Sequence, residues 1–375
     1  MKIIAFRVDA SLQIGSGHVM RCLTLADALR ERGAMCRFAC RPQQGHLLAL
    51  VAQRGHHALA LPELQEGAEP NRNGTAHGHW LGTDWATDAK DTQQTLSAHM
   101  GGKPVDWLVV DHYALDARWE DAMRPQAKRI MVIDDLADRP HACDLLLDQN
   151  LGCTEADYGG LLKGKPPTLV GPQYALLRPE FAALRAQSLA RRQSKPQLRR
   201  LLITMGGVDK DNATGQVLAS LQSCSLPTDL RVTVVMGTHA PWLTQVQAQA
   251  AQMPWPTEVL VSVGNMAQLM VESDLAIGAA GSTSWERCCL GVPTIQVALA
   301  QNQAAIALAL SQAGAALMLQ SKAIAQILPS LLSTMASAEK LYAVSQAASV
   351  VTEGKGALFV ADFMKVNDEN HVLKQ

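Results

Sequence analysis

Short apolar runs alternate with amphipathic stretches along the whole chain. Runs at 2–8, 36–40, 57–61, 107–110, 129–133, 145–147 and 168–170 have the length of buried strands. Between them, apolar residues recur at helical spacing over 18–32, 44–53, 85–99 and 116–124; Val19, Cys22, Leu23, Ala26 and Leu29 mark one such face. Strand–helix alternation predicts a parallel, doubly wound sheet. A further helix is expected over 179–192. It ends in Arg191-Arg192-Gln193-Ser194-Lys195-Pro196, a basic, proline-broken stretch that reads as a linker. A second alternation follows, with strands at 200–204, 231–235, 258–261, 275–277, 294–297 and 315–319. The expected fold is therefore α/β, with two Rossmann-like halves facing across a cleft that serves as the ligand site. The expected boundaries are 1–192 for the first domain, 193–198 for the linker, 199–361 for the second domain and 362–375 for a polar tail. The polar segment 65–78 is expected to form a mobile loop.

Composition narrows the function classes. A length of 375 residues, 48% of them hydrophobic, suits two folded domains. A net charge of −1 leaves no electrostatic footprint for nucleic acid or an anionic membrane. No apolar run reaches the ~18 residues that span a bilayer. Arg7 and Asp9 interrupt the first apolar stretch, so no signal peptide is expected. The eight cysteines are scattered without a Cys-x-x-Cys pair, which points to buried free thiols and a reducing, cytoplasmic setting. No metal or cofactor is expected, and nothing in the sequence sets an oligomeric state, a monomer included.

The chemistry concentrates where strands end, since open α/β sheets bind ligands beyond the carboxyl ends of their strands. After the first strand come Asp9 and the turn Ile14-Gly15-Ser16-Gly17-His18-Val19-Met20-Arg21. Gly15 and Gly17 match two glycines of the dinucleotide fingerprint, but Met20 stands at the third position and the next strand ends at Arg41 rather than at an acid. No P-loop motif occurs. A glycine turn opening a helix exposes backbone N–H groups that favour an anion, and His18 adds a group able to move protons near neutral pH. Later strand ends carry Asp111-His112-Tyr113, Asp134-Asp135 and Asp148-Gln149-Asn150. Most of these acids read as helix or turn caps.

In the second half, Gly206-Gly207 follows a strand, and Gly278-Ala279-Ala280-Gly281-Ser282-Thr283 leads from a strand into a helix. Small residues there admit a phosphate, and Ser282 and Thr283 can donate hydroxyl hydrogen bonds. Glu286 has two competing readings: an acceptor for ribose hydroxyls, or the acid of a Thr283-x-x-Glu286 capping box. Asn302 and Gln303, just after another strand, are neutral amides suited to the hydroxyl and acetamido groups of a sugar.

Together, Ile-Gly-x-Gly-His18-x-x-Arg-Cys, Val110-Asp111-His112-Tyr113, Asp134-Asp135-Leu136-Ala137-Asp138-Arg139, Cys143-Asp144-Leu145-Leu146-Leu147-Asp148-Gln149-Asn150 and Tyr174-Ala175-Leu176-Leu177-Arg178-Pro179-Glu180-Phe181 resemble one family. It comprises the UDP-2,4-diacetamido-2,4,6-trideoxy-β-L-altropyranose hydrolases of pseudaminic acid biosynthesis. The resemblance runs from residue 1 to about 361. It implies a GT-B fold similar to that of MurG-type transferases. It also implies a uridine diphosphate site in the second domain around Gly206, Gly207, Met266, Gly281, Ser282, Thr283 and Glu286. His18 is implied as the essential residue, as the base or as a contact to the leaving phosphate, with Tyr113 and Asn302 near the sugar. Asp9, Gly15, Gly17, Arg21, Asn150, Arg178 and Gln303 complete the expected substrate site. The polar insertion at 65–78 is longer than this family leads one to expect, and a stand-alone hydrolase without the acetyltransferase domain fused on some relatives is expected. The implied reaction is metal-independent hydrolysis of a small-molecule UDP-sugar, with C–O cleavage and inversion. The alternatives are a GT-B glycosyltransferase, a UDP-sugar 2-epimerase of the same architecture, and a nucleotide-sugar sensing module.

Overall fold

The computed structural model describes residues 1–64, 75–194 and 196–364; the side chains of Gln301 and Asn302 lie outside the description. Most of the segment 65–78 and nearly all of the tail therefore fall outside the described residues. The chain forms two compact units, Met1–Leu176 with Gly356–Gln375, and Leu177–Lys355.

The first unit contains β1 (Ile3–Val8), α1 (Gly17–Glu31), β2 (Met35–Cys40), α2 (Leu48–Gln53), β3 (His57–Ala60), α3 (Trp85–Met100), β4 (Trp107–Asp111), α4 (Ala117–Met123), β5 (Ile130–Ile133), β6 (Leu145–Asp148) and β7 (Thr168–Val170). Its parallel sheet has the order β3-β2-β1-β4-β5-β6-β7. Alternate residues feed opposite faces, as the two-residue period of a strand requires. Ile4, Phe6, Val8, Trp107, Val109, Met131 and Ile133 enter the core beneath α1. Ala5, Leu108, Val110, Ile130 and Val132 enter the core that Leu96, Trp119 and Met123 of α3 and α4 complete. Burial on both faces explains why the strands read as continuous apolar runs.

The second unit contains α5 (Pro179–Gln193), β8 (Arg200–Thr204), α6 (Ala213–Leu221), β9 (Arg231–Met236), α7 (Leu243–Ala250), β10 (Thr257–Val261), α8 (Met266–Glu272), β11 (Leu275–Ala279), α9 (Thr283–Cys289), β12 (Thr294–Ala298), α10 (Gln301–Gln312), β13 (Leu317–Gln320), α11 (Ile324–Met335) and α12 (Ala338–Ser349). Its parallel sheet runs β10-β9-β8-β11-β12-β13. A final helix, α13 (Gly356–Phe363), belongs to the first unit.

The division differs from the expected one in two places. The change of unit falls after Leu176, not at 193–198. α5 packs on α8, α9 and α12, so the helix assigned to the first domain is part of the second. Arg192 shows why: its buried guanidinium donates to the carbonyls of Met270, Ser273 and Leu290, capping the ends of α8 and α9. In turn, α13 packs on α1, where Val360, Ala361 and Met364 complete the core under β1. Among the described residues, no helix is long and apolar enough to cross a membrane.

Candidate active site

Each sheet has one place where strand order reverses. In the first unit it lies between β1 and β4, whose following connections run to opposite sides. His18, in the first turn of α1, meets Asp111, the last residue of β4, at this point. His18 Nδ1 lies 2.6 Å from Asp111 Oδ1. Arg21, one turn further along α1, grips the same carboxylate: Nε donates to Oδ2 and Nη2 to Oδ1, both at 2.7 Å. Arg21 Nη1 donates to Asp135 Oδ2 at 2.5 Å, and the Tyr113 hydroxyl donates to that oxygen at 2.7 Å.

Burial of Asp111 opposes its ionisation, but Arg21 and then His18 outweigh it and hold the carboxyl well below its usual range. An ionised carboxylate only accepts. In the neutral ring the hydrogen facing Asp111 is therefore on Nδ1, and the lone pair is on Nε2. This is the geometry of a base oriented by a buried acid. Arg21 Nη2, 3.3 Å from the same Nδ1, adds positive charge behind the pair.

An aromatic wall stands beside it. The His18 ring meets Tyr113 edge to face with centroids 4.6 Å apart. Trp80 stacks on Tyr113 at 5.6 Å, and the His77 ring lies 4.5 Å from Trp80. Arg139 lies over the Tyr113 ring at 5.7 Å. Burial, then Asp135, pushes the Tyr113 hydroxyl far above its ordinary range, so this residue is a neutral wall. The N-cap of α1, Ser16, makes no side-chain capping bond, which leaves the backbone N–H groups of the Gly17 turn open to a ligand. Gly15 holds the left-handed conformation this turn needs, at φ +79°.

Three expected substrate contacts are turned inward instead. Asp9 is fully buried; it pairs with Arg7 at 2.7 Å and accepts from the Arg41 backbone N–H. Arg7 and Arg41 converge on Asp88 from the other side, so Asp9 belongs to a structural ionic network. Arg21 spends its guanidinium on Asp111 and Asp135 and acts on the site through them. Asn150 is buried and donates to the Asp135 carbonyl, tying the loop after β6 to the loop after β5. Conversely, the sequence does not single out Asp111, Asp135, Trp80 or His77 as site residues. The strand-end position of the two acids was visible there, but it is shared with true caps. Asp134 is one: it accepts from the Leu136 and Ala137 backbones and pairs with Arg139.

In the second unit the order reverses between β8 and β11. The loops after these strands carry Gly206-Gly207 and Gly281-Ser282-Thr283, and Met266 opens α8 after β10. Gly237 is packed so close to Gly207 that a Cβ there would sit 2.1 Å from the Gly207 carbonyl oxygen, which fixes the first of these loops. The capping box at α9 does not form. The helix N-cap is Ser282, without a side-chain bond, and Thr283 Oγ1 accepts from Arg287. Glu286 is thus free of the cap. Burial pushes its carboxyl up to about 7, against the pull of Arg178 and Arg287. Arg178 lies 3.9 Å from Glu286 and 2.9 Å from Glu180. Gln303 turns back on its own helix start, accepting from the Leu299 backbone. The side chain of Asn302 lies outside the described residues. No group of three or more His, Cys, Asp or Glu is arranged to hold a metal ion among the described residues.

Residues 201–362 match the glycosyltransferase family 28 C-terminal domain. The chain is also similar to a UDP-2,4-diacetamido-2,4,6-trideoxy-beta-L-altropyranose hydrolase from Campylobacter jejuni, with 25% identity over 81% of this chain and 93% of that one. It is 21% identical to the spore coat polysaccharide biosynthesis protein SpsG of Bacillus subtilis, over 79% of this chain and 77% of that protein. Among solved structures, Acinetobacter baumannii MurG superposes with a TM-score of 0.68 at 15% identity, covering 97% of this chain and 99% of MurG. Phytolacca americana UGT2, solved with UDP-2-fluoro-glucose and pterostilbene, gives 0.65 at 12% identity, covering 97% and 100%. The fold is GT-B-like, built of two Rossmann-like units.

Proposed function

We propose that this chain is an enzyme that hydrolyses a UDP-linked 2,4-diacetamido-2,4,6-trideoxy sugar to UDP and the free sugar, as a step in pseudaminic acid biosynthesis. The observation that carries the reading is the His18–Asp111 pair at the switch point of the first unit. The similarity to the Campylobacter jejuni hydrolase supports it. The unpaired cysteines fit a reducing compartment.

In this reading the second unit holds UDP. The loops at Gly206-Gly207 and Gly281-Ser282-Thr283 receive the diphosphate, Glu286 accepts from the ribose hydroxyls, and Met266 borders the uridine. The first unit supplies the chemistry. A water attacks the anomeric carbon on the face opposite UDP while the bond from that carbon to the phosphate oxygen breaks. The electron pair leaves with UDP, and the water proton passes to His18 Nε2. Asp111 holds the ring and stabilises the imidazolium that forms. Tyr113 and Trp80 wall the sugar, and the open N–H groups at Gly17 add positive potential. UDP is a good leaving group, so the site needs no strong acid, and the path needs no metal.

A transferase would use the same residues with an acceptor hydroxyl in place of water, and an epimerase would return a UDP-sugar. Incubating the protein with a panel of UDP-diacetamido sugars, with EDTA and without acceptor, separates them by NMR. Hydrolysis predicts UDP and free sugar in equal amounts. UDP release only after an acceptor is added, or an intact UDP linkage with altered C2 configuration, contradicts it.

A further inference from the structure

Beneath the loop 280–282, between β11 and α9, lies a charge that no acid among the described residues grips. Arg287 is 1% exposed. Its hydrogen-bond partners among the described residues are neutral oxygens: Nη1 donates to Thr283 Oγ1 at 3.2 Å, and Nη2 to the Ala279 carbonyl at 2.8 Å and Ser284 Oγ at 3.2 Å. Its Nε, also buried, has no hydrogen-bond partner among the described residues. The fold makes room for this group at a cost in side chains. A Cβ on Gly278 would lie 2.6 Å from Arg287 Nη1 and 3.0 Å from the Thr204 carbonyl oxygen, so the guanidinium packs directly on the backbone of β11. Burial pulls the guanidinium down to about 10, opposed by Cys288 and Glu286. A buried cation held only by neutral groups carries a desolvation cost that no carboxylate offsets.

Arg287 constrains the hydroxyl above it. Thr283 Oγ1 accepts from Nη1, so its own hydrogen points away from the guanidinium. Thr283 is partly exposed and Ser282 is exposed, so that hydrogen is offered to whatever occupies the loop. Ser284 Oγ, by contrast, is buried and takes a second hydrogen bond from Gln296 Nε2, which anchors the guanidinium from below.

We propose that Arg287 is a positioning residue for the diphosphate: it turns the Thr283 hydroxyl toward the ligand and supplies a buried positive charge that the bound diphosphate neutralises. This rests on the reading that the second unit binds UDP. The test titrates UDP into the full chain by calorimetry and records melting temperatures, for wild type, Arg287→Met, Arg287→Lys, Thr283→Val and the double variant Arg287→Met with Thr283→Val. Wild type binds UDP. Arg287→Met binds at least about tenfold more weakly, since a charge-assisted contact is lost, while its ligand-free melting temperature is unchanged or higher. Thr283→Val loses affinity likewise, and the double variant loses less than the two losses combined, because both act through one hydroxyl. Arg287→Lys retains the charge but cannot reach both hydroxyls, and falls between. Wild-type affinity in either Arg287→Met or Thr283→Val overturns the proposal. So does a loss in Arg287→Met matched by a fall in melting temperature while Thr283→Val binds normally, which is a structural role alone. Absence of UDP binding by folded wild type is a different result: it overturns the functional reading itself.

Discussion

Asp111 faces two partners whose demands coincide. His18 needs an acceptor for its Nδ1 hydrogen, and Arg21 needs a carboxylate for its charge. Asp111→Asn keeps the shape but puts an amide NH2 where one of them requires an oxygen. It is expected to lower kcat for UDP release by roughly 10²–10⁴, with little change in KM, because base orientation fails while binding surfaces remain. His18→Asn should lose a similar factor and keep its melting temperature; steady-state kinetics on both variants check this. A normal kcat in His18→Asn would remove the base. A second prediction concerns His141, buried between Glu120 Oε1 at 2.7 Å and Asp134 Oδ2 at 3.6 Å. Burial disfavours its charge, but the neighbouring carboxylates of Asp134 and Glu120 push it up to about 9. A group raised on folding stabilises fully below its ordinary value near 6.5, and this contribution fades as pH rises through about 9. The melting-temperature gap between wild type and His141→Gln should therefore be widest near pH 6 and close toward pH 9.5. A gap that stays constant with pH would contradict the charged His141. Sequence could not separate these acids. Asp134 and Asp135 are neighbours at one strand end, yet one caps its loop and pairs with Arg139 while the other faces Arg21 and Tyr113. The strand's two-residue period gives alternate residues different environments, and only the fold says which environment is the site.

At the scale of elements, α13 is the part that pattern alone does not assign. Its apolar face is legible, but an amphipathic helix can complete either sheet, and nothing in residues 356–363 names the partner. The fold sends it to α1. There Val360 and Met364 are fully buried, and the Trp107 indole N–H donates to the Met364 carbonyl at 3.1 Å. Each such side chain contributes about 1.5–3 kcal/mol by leaving water. Truncation after Lys355 should destabilise the first unit by several kcal/mol while the second unit melts unchanged; two-transition calorimetry reads this directly. A loss in the second unit instead would mean that α13 serves the other core. Strands, in contrast, were readable to within about two residues, because burial on both faces leaves few polar positions to blur the runs. The position of α5 is legible in the sequence; the unit it packs with is not. Its contacts, the helix ends that Arg192 caps, lie some eighty to a hundred residues away in sequence.

At the scale of the molecule, two reversals of strand order set out the chemistry. One collects His18, Asp111 and the aromatic wall; the other collects small-residue loops, Glu286 and Arg287. The glycine turn at residues 15–17 reads from sequence as a candidate ligand site that departs from the dinucleotide fingerprint, since its third glycine is missing. The acid behind His18 was not, because β4 lies ninety residues further on and joins β1 only in the sheet. Hydrolysis at the anomeric carbon separates the proposed reaction from transfer and epimerisation, and running it in ¹⁸O-water without acceptor, with both products followed by NMR and mass spectrometry, decides it. Hydrolysis with C–O cleavage and inversion gives unlabelled UDP, one ¹⁸O on C1 of the free sugar, and the inverted anomer appearing first. Label in UDP, or no UDP at all until an acceptor is supplied, would contradict it.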